Sequence, residues 1–214
     1  MNLNKYIDHT ILKPVAREEQ IINLCNEAKE YDFASVCINS SYIPLAKELL
    51  KDTDVKVCTV IGFPLGACST ETKAFETKWA YDNGCDEFDM VIHIGKLKDG
   101  DYDYVRNDIK AVVDAANGKC VKVIIETGLL TDDEKIMATK LSCEAGACFV
   151  KTCTGFAEGI ATVDDVKLMK ENVTGGVKVK ASGGIRCLAD AEALIAAGAD
   201  RLGTSAGIAI ISGK

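Results

Sequence analysis

The chain has 214 residues, of which 48% are hydrophobic and 27% are charged, a composition that allows a large core and excludes a disordered chain. Its net charge is −7 and arginine is scarce, so a basic surface for binding nucleic acid is not expected. The sequence has no long apolar run and no secretory signal, so we expect no membrane span and predict the cytoplasm as its compartment.

Short β-rich runs recur along the whole chain. In chain order they are YIDHTIL (6–12), SVCIN (35–39), VKVCTVIGF (55–63), EFDMVIHIG (87–95), VKVIIET (121–127), CFVKT (148–152), VKVKASGG (177–184) and RLGTS (201–205). The last seven are clear, and the first is shorter in its apolar part. Their apolar residues are consecutive rather than alternating, which is typical of strands that are buried on both faces.

Segments of helical character lie between these runs. The clearest are 17–31, 71–84, 131–146, 162–173 and 187–198. Thr131 and Glu134 form a capping-box pattern at the start of one of them, and Gly146 is placed to end it. A helix end, a glycine and a new strand follow one another in NGCDEFDM, AGACFVKT and AGADRLGT, which is the pattern of repeated αβ connections.

Strictly alternating βα units predict a parallel sheet. Seven units would favour an open doubly wound sheet, and eight would close into a barrel. No G-x-G-x-x-G motif follows the first strand, so a dinucleotide-binding fold has no support. We therefore predict the α/β class: a single (β/α)₈ TIM barrel, with a short N-terminal helical extension, that forms one domain over residues 1–214.

The ten cysteines form no C-x-x-C pair and lie mostly in apolar contexts, so we interpret them as reduced core thiols. The alternative is metal binding, but His9 and His93 are far apart and lack the spacing of metal ligands. No metal and no cofactor are predicted.

Two lysines fall at the carboxyl ends of neighbouring predicted strands, where barrels carry their chemistry. Neighbouring strands lie about 4.8 Å apart, so the ammonium groups of Lys151 and Lys180 are expected to converge. Burial and like charge both favour a neutral amine, which can attack a carbonyl and form a Schiff base. The alternative is that each lysine extends to solvent or pairs with an acid. Asp89, inside the fourth strand, is either half of a buried ion pair or a group that relays a proton through water.

Glycine-rich turns follow the last three strands, where barrels often bind phosphate. Glycine allows backbone N–H groups to approach an anion closely, although turns need glycine for structural reasons as well. Ser205 adds a hydroxyl donor, and Arg186 lies just beyond the second of these loops. The three loops together predict a phosphate site at one rim of the barrel.

The motifs together resemble the deoxyribose-phosphate aldolase family, within the class I aldolase superfamily, over essentially the whole chain. The resemblance rests on YIDHTIL, SVCIN, EFDMVIHIGKLKDGDY, VKVIIETGLL, FVKTCTGF, VKVKASGGIR and RLGTSAG. It implies reversible cleavage of 2-deoxy-D-ribose 5-phosphate to acetaldehyde and D-glyceraldehyde 3-phosphate, without metal or cofactor. It also implies a homodimer or higher homo-oligomer. A sugar-phosphate isomerase and an inactive sugar-phosphate-binding barrel are the alternatives.

The same resemblance assigns roles to residues. Lys151 matches the Schiff-base lysine, Lys180 the second lysine that perturbs it, and Asp89 the proton-relay aspartate. The residues assigned to substrate binding are Asp8, Cys37, Thr152, Gly155, Gly183, Gly184, Gly203 and Ser205, and the glycines with Ser205 form the phosphate cradle. Three positions depart from the usual motifs: His93 and Cys153 stand where asparagine and serine are common, and Ala206 removes a frequent serine hydroxyl from the phosphate loop.

Overall fold

Eight parallel strands close into a barrel in sequence order, in a computed structural model that describes residues 3–213. The strands are β1 (Ile7–Ile11), β2 (Ser35–Ile38), β3 (Lys56–Ile61), β4 (Glu87–Val91), β5 (Cys120–Ile124), β6 (Phe149–Lys151), β7 (Lys178–Ser182) and β8 (Arg201–Thr204). Pairing of β8 with β1 closes the barrel. The predicted (β/α)₈ barrel is therefore confirmed, including its least clear first strand. Residues 1, 2 and 214, the ends of the predicted domain, lie outside the described part.

Helices follow the strands and surround the barrel. They are α1 (Glu18–Glu30), α2 (Ile43–Leu49), α3 (Thr70–Asp82), α4 (Ile94–Lys98), α5 (Tyr102–Ala115), α6 (Asp132–Glu144), α7 (Val163–Asn172), α8 (Leu188–Ala196) and α9 (Gly207–Ile211). The predicted N-terminal extension is one 3₁₀ turn, Asn4–Tyr6. Among the helices within residues 3–213, none is long and apolar enough to cross a membrane.

Local sequence signals set several element boundaries. The Thr131 hydroxyl accepts a hydrogen bond from the Glu134 N–H, and the Glu134 carboxylate accepts one from the Thr131 N–H, so the predicted capping box at the start of α6 is confirmed. Gly146 has a φ of +88°, as a glycine that ends a helix requires. The fourth strand ends earlier than predicted, because the His93 side chain caps α4.

The apolar core lies between the strands and the helices. Along β4, Phe88 and Met90 are fully buried in this outer layer, whereas Glu87 and Asp89 alternate with them and point into the barrel. Side chains alternate between the two faces of a strand, so each strand gives one set of residues to the core and another to the barrel interior. This arrangement places the polar residues singled out in the sequence inside the barrel.

Candidate active site

Lys151 ends β6, and its partner across the strand pair is Lys180 on β7. Both Nζ atoms reach one carboxylate oxygen: Asp89 Oδ2 lies 2.8 Å from Lys151 Nζ and 2.7 Å from Lys180 Nζ. Lys151 is 3% exposed and lines a cavity at the carboxyl ends of the strands, whereas Lys180 and Asp89 are fully buried. The structure thus brings together the three side chains that the sequence singled out, while their catalytic roles stay a prediction.

Asp89 and Lys180 are held in their charged forms. Burial alone favours a neutral Lys180, but the carboxylates of Asp8 and Asp89 outweigh it and raise the pKa of Lys180. Burial also opposes ionisation of Asp89, but Lys122, Lys151 and Lys180 hold the pKa of this carboxyl well below its usual range. Asp89 is therefore part of a buried ion pair with Lys180, and the same carboxylate also binds Lys151.

Lys122 on β5 is a third buried lysine of this cluster, and the sequence analysis did not single it out. Its Nζ lies 2.9 Å from Asp89 Oδ1 and 2.6 Å from Glu87 Oε2. Burial lowers the pKa of Lys122, but the surrounding carboxylates, Asp89 first, raise it well above its ordinary value. Lys122 is the second residue of the otherwise apolar run VKVII. A charge within an apolar strand is also the pattern that pointed to Asp89.

Asp8 on β1 connects this cluster to the amino-terminal end of the barrel. It forms an ion pair with Lys180 and accepts a hydrogen bond from Arg201 Nη1 at 2.6 Å. Arg201 Nη2 also lies 3.4 Å from Glu87 Oε1, and Ser35 Oγ donates to Asp8 Oδ1 at 2.7 Å. The inward-facing residues therefore form one continuous ionic network from the start of the strands to the cavity.

The cavity above Lys151 has a volume of about 740 Å³, within the usual range for small-molecule sites. Its lining comes mainly from β1, α1 and the loops after β6, β7 and β8. The five residues predicted to cradle phosphate all belong to this lining: Gly155, Gly183, Gly184, Gly203 and Ser205. Arg186 lines the same side and supplies a positive charge.

Two of these glycines also have structural reasons to be glycine. Gly184 has a φ of +78°, and a Cβ there would lie 2.6 Å from Ile160 Cγ2. At Gly203, a Cβ would lie 2.9 Å from Ser182 Cβ and 3.1 Å from Lys180 Cε. Gly203 therefore makes room for the Lys180 side chain, in addition to lining the cavity.

Three residues assigned to the substrate pocket lie beneath the cavity instead of in its lining: Asp8, Cys37 and Thr152. Each is fully buried. Asp8 is held by Lys180 and Arg201, and Cys37 pairs across the sheet with Cys58. Thr152 Oγ1 donates to Ser182 O at 2.9 Å and accepts from Ser182 N at 3.0 Å. These contacts hold the three residues in the layer below the cavity surface, and their assignment to substrate binding stays a prediction.

Glu126 fixes the loop that carries Thr154 and Gly155. Its backbone is left-handed, with a φ of +59°, and its carboxylate accepts hydrogen bonds from Thr154 N at 3.2 Å and from Thr154 Oγ1 at 2.5 Å. The sequence analysis did not single out Glu126, since its bonds join two different βα loops. The result is a direct hydrogen-bonded connection between the fifth and sixth loops near the cavity.

The three positions that depart from the family motifs each make local contacts. His93 Nδ1 accepts a hydrogen bond from Lys96 N at 3.2 Å and the ring packs against Tyr104, so this histidine has a structural role. Cys153 is buried under the rim, 3.4 Å from Thr127 Oγ1. Ala206 N donates to Thr204 Oγ1 at 2.9 Å.

One group of side chains has donor atoms close enough for a metal ion. Within residues 3–213, ligand atoms of Cys37, Cys58 and Asp89 lie within 4.8 Å of one another. The Asp89 carboxylate, however, already binds three lysine ammonium groups. This positive surrounding opposes a bound cation, so the donor set does not fit a metal.

This chain is similar to known aldolases over nearly its whole length. The family model described as DeoC/LacD family aldolase matches residues 3–213. The chain belongs to this family. A protein of Bdellovibrio bacteriovorus named deoxyribose-phosphate aldolase is 62% identical to it over 213 residues, covering 100% of this chain and 97% of that one. A protein of the same name from Streptococcus gordonii is 61% identical over 214 residues, with the same coverage.

Solved structures of the family share this fold. The deoxyribose phosphate aldolase from Aeropyrum pernix, described as having a unique tetrameric structure, superposes with a TM-score of 0.92 at 35% identity. The superposition covers 98% of this chain and 89% of that one. The DeoC/LacD family aldolase described here therefore has a solved relative that matches over nearly its whole length.

Proposed function

We propose that this aldolase cleaves 2-deoxy-D-ribose 5-phosphate reversibly to acetaldehyde and D-glyceraldehyde 3-phosphate, through a Schiff base on Lys151. The observation that carries the proposal is the position of Lys151. It is the lysine of the ionic cluster that lines the cavity, and its Nζ lies 2.8 Å from a buried carboxylate. A primary amine at the cavity surface with an adjacent carboxylate is suited to imine formation.

The charge balance of the cluster favours Lys151 as the nucleophile. The network contains three carboxylates (Asp8, Glu87 and Asp89) and four cationic groups (Lys122, Lys151, Lys180 and Arg201). Lys151 is paired with one carboxylate, whereas each of the other cations contacts at least two. Lys151 is therefore the least tightly paired cation of this network, and it is the one that lines the cavity.

In the proposed reaction, the neutral Lys151 Nζ attacks the C1 aldehyde of the substrate. The adduct loses water to give a protonated imine, and Asp89 is the nearest base for the proton transfers at that nitrogen. The iminium draws electrons from the C2–C3 bond as that bond breaks. The C3 hydroxyl proton leaves through water toward the Asp89 carboxylate, because the Lys180 ammonium group is already protonated and cannot accept it.

Cleavage releases D-glyceraldehyde 3-phosphate and leaves an enamine on Lys151. Protonation at C2 regenerates an imine, and addition of water to this imine releases acetaldehyde and the free amine. The glycine loops and Arg186 are proposed to bind the phosphate at the far side of the cavity. Fixing both ends of the substrate reduces the entropic part of the barrier.

The reaction is tested by supplying 2-deoxy-D-ribose 5-phosphate and measuring both products with two separate coupled assays, one for acetaldehyde and one for D-glyceraldehyde 3-phosphate. The proposal predicts equal amounts of the two. Formation of an isomeric pentose phosphate without acetaldehyde would instead identify an isomerase. Binding without turnover would identify an inactive binding barrel. A chelator such as EDTA is expected to leave the rate unchanged, since no step uses a metal.

We also infer a homo-oligomer, a single domain over residues 1–214, and the cytoplasm as the compartment. Phe75 and Trp79, one helical turn apart on α3, are 74% and 40% exposed, and such an apolar pair suits a subunit contact. Free thiols at the ten cysteines fit a reducing compartment. Light scattering of the purified chain tests the oligomer, and the double variant Phe75→Ser/Trp79→Ser should lower its mass.

A further inference from the structure

The amino-terminal face of the barrel, opposite the cavity, carries two cysteines that the proposed reaction does not use. Cys120 begins β5, and Cys148 directly precedes the neighbouring β6. The backbone N–H of Cys148 donates to Val121 O at 2.9 Å, so the two cysteines are offset by one residue across a parallel pair. Strand spacing and rise per residue place their Cα atoms about 6 Å apart, within the range that a disulfide spans.

The two side chains are already in contact. The Cys120 thiol and the Cys148 sulfur lie close enough to influence each other's ionisation. Cys148 is exposed and Cys120 is half-buried, whereas half of the ten cysteines, Cys37 and Cys58 among them, are buried. An oxidant in solution therefore reaches Cys148 directly, and a second thiol is within reach of the same sulfur.

The surrounding charges favour a thiolate at Cys148. The interaction with the Cys120 thiol, with help from the Val121 backbone and the Lys122 charge, outweighs burial and the Glu87 charge and lowers the pKa of Cys148 to about 6. The same interaction, together with burial, raises the pKa of Cys120. Arg201 also faces Cys120 from β8. At neutral pH the pair thus consists of an exposed thiolate and a protonated thiol beside it.

We propose that Cys148 is a site of oxidative modification and that Cys120 is its resolving thiol. The oxidant class is a two-electron peroxide such as hydrogen peroxide. The Cys148 thiolate attacks one peroxide oxygen, the O–O bond breaks, and the product is a sulfenic acid plus water after protonation. The Cys120 sulfur then attacks the sulfenic sulfur, forming the S–S bond and releasing a second water. The two thiols lose two electrons, and the peroxide is reduced to two waters.

This proposal is independent of the aldolase reaction. The disulfide would join β5 to the residue that precedes β6, at the amino-terminal ends of the two strands, whereas Lys151 lies at the opposite end of β6. Lys122, two residues after Cys120, is the point at which β5 enters the ionic network. A thiol reductant such as glutathione would reverse the change by thiol–disulfide exchange.

Peptide mapping after mild peroxide treatment tests the site. The reduced chain is treated with one equivalent of hydrogen peroxide, blocked with N-ethylmaleimide, and digested with trypsin without reduction. The tryptic peptide 141–151 contains Cys143 as well as Cys148, so the background is Cys143→Ser. We expect peptide 120–122 linked to peptide 141–151, and loss of this link on reduction.

Matched variants separate the two roles. Cys148→Ser should abolish the link, and Cys120→Ser should leave a sulfenic acid on Cys148 that dimedone labels. Cys68→Ser, which removes another half-buried thiol, should leave the link unchanged. Alkylation of Cys148 by iodoacetamide should level off above about pH 7, while that of free cysteine continues to rise. Oxidation at other cysteines with no Cys120–Cys148 link, or a Cys148 profile identical to that of free cysteine, would overturn the proposal.

Discussion

Alternate residues of the same strand face two very different environments in this barrel. On β4, Glu87 and Asp89 point inward to ion pairs with Lys122, whereas Phe88 and Met90 pack outward against the helices. Many barrels of this fold fill the interior with bulky branched residues. Here the outer layer is apolar and the interior near the cavity is ionic. We therefore expect the outer layer to stabilise the fold and the interior to support the chemistry.

The two layers also contribute differently to the free energy of unfolding. Burying a side chain such as Met90 contributes roughly 1.5–3 kcal/mol of hydrophobic stabilisation. A buried ion pair loses hydration that its Coulomb attraction only partly returns, so it adds little net stability while it is intact. Substitutions in the interior should therefore act on chemistry, and also on the free energy of unfolding where they leave a buried charge unpaired. Substitutions in the outer layer should act on the free energy of unfolding alone.

The largest expected effect is on activity, from Lys151→Arg. The guanidinium keeps a positive charge but cannot form the imine, so kcat/KM should fall by at least about 10³-fold. The melting temperature should change little, because the charge near Asp89 is kept. Lys178→Arg, at an exposed position at the start of β7, is the matched control and should keep full activity. A Lys151→Arg enzyme that still cleaves substrate would contradict the assigned role.

Asp89→Asn should affect both chemistry and stability. It removes the carboxylate that Lys122, Lys151 and Lys180 share, and leaving buried ammonium groups without this partner should cost about 3–5 kcal/mol in the free energy of unfolding. Urea denaturation measures this loss. The control is Asp82→Asn on the exposed pair with Lys78, which should change stability by about 0.5 kcal/mol or less. Equal losses for the two variants would remove the distinction between interior and surface charges.

Met90→Ala tests the apolar layer next to the same carboxylate. The cavity should lower the free energy of unfolding by about 2–5 kcal/mol, while kcat/KM of the folded enzyme should stay within about threefold of wild type. Denaturation curves and activity at a temperature well below the melting point measure the two quantities. If Met90→Ala abolished activity while the chain remained folded, the two layers would not be separable.

The smallest expected effect concerns pH. The pKa values of Asp8 and Asp89 are lowered in the folded state, so the stability they contribute is present above the unfolded-state pKa of about 4. It is lost as the pH falls from that value toward their lower folded pKa values, by up to about 1.4 kcal/mol per pH unit for each carboxylate. Urea denaturation from pH 6 to 3 should show this slope, and Asp89→Asn should reduce it. An unchanged slope would mean that Asp89 is not ionised in the native state.

Strand order, helix order and the residues at the cavity follow from the sequence because each depends on local patterns. Asp89, Lys151 and Lys180 stand out as charges in or at the end of apolar runs. Lys122 is also a charge within an apolar run, but the sequence analysis did not single it out.

The partners of these charges are harder to predict. The Asp8–Arg201 pair joins residues 193 positions apart and depends on closure of the barrel between β1 and β8. Whether Cys37 and Thr152 line the cavity or lie beneath it depends on their depth along the strand, which residue types do not specify. For the same reason, the contact between Cys120 and Cys148 follows from strand register, and the absence of a C-x-x-C motif gives no hint of it.

The most direct test of the account is reductive trapping of the substrate with sodium borohydride, followed by peptide mass analysis. A reduced adduct on Lys151 blocks tryptic cleavage there, so the account predicts one modified peptide covering residues 141–167. Lys122 and Lys180 should remain unmodified, since both are fully buried beneath the cavity. An adduct on either of these lysines, or active cleavage with no adduct on Lys151, would contradict the central claim.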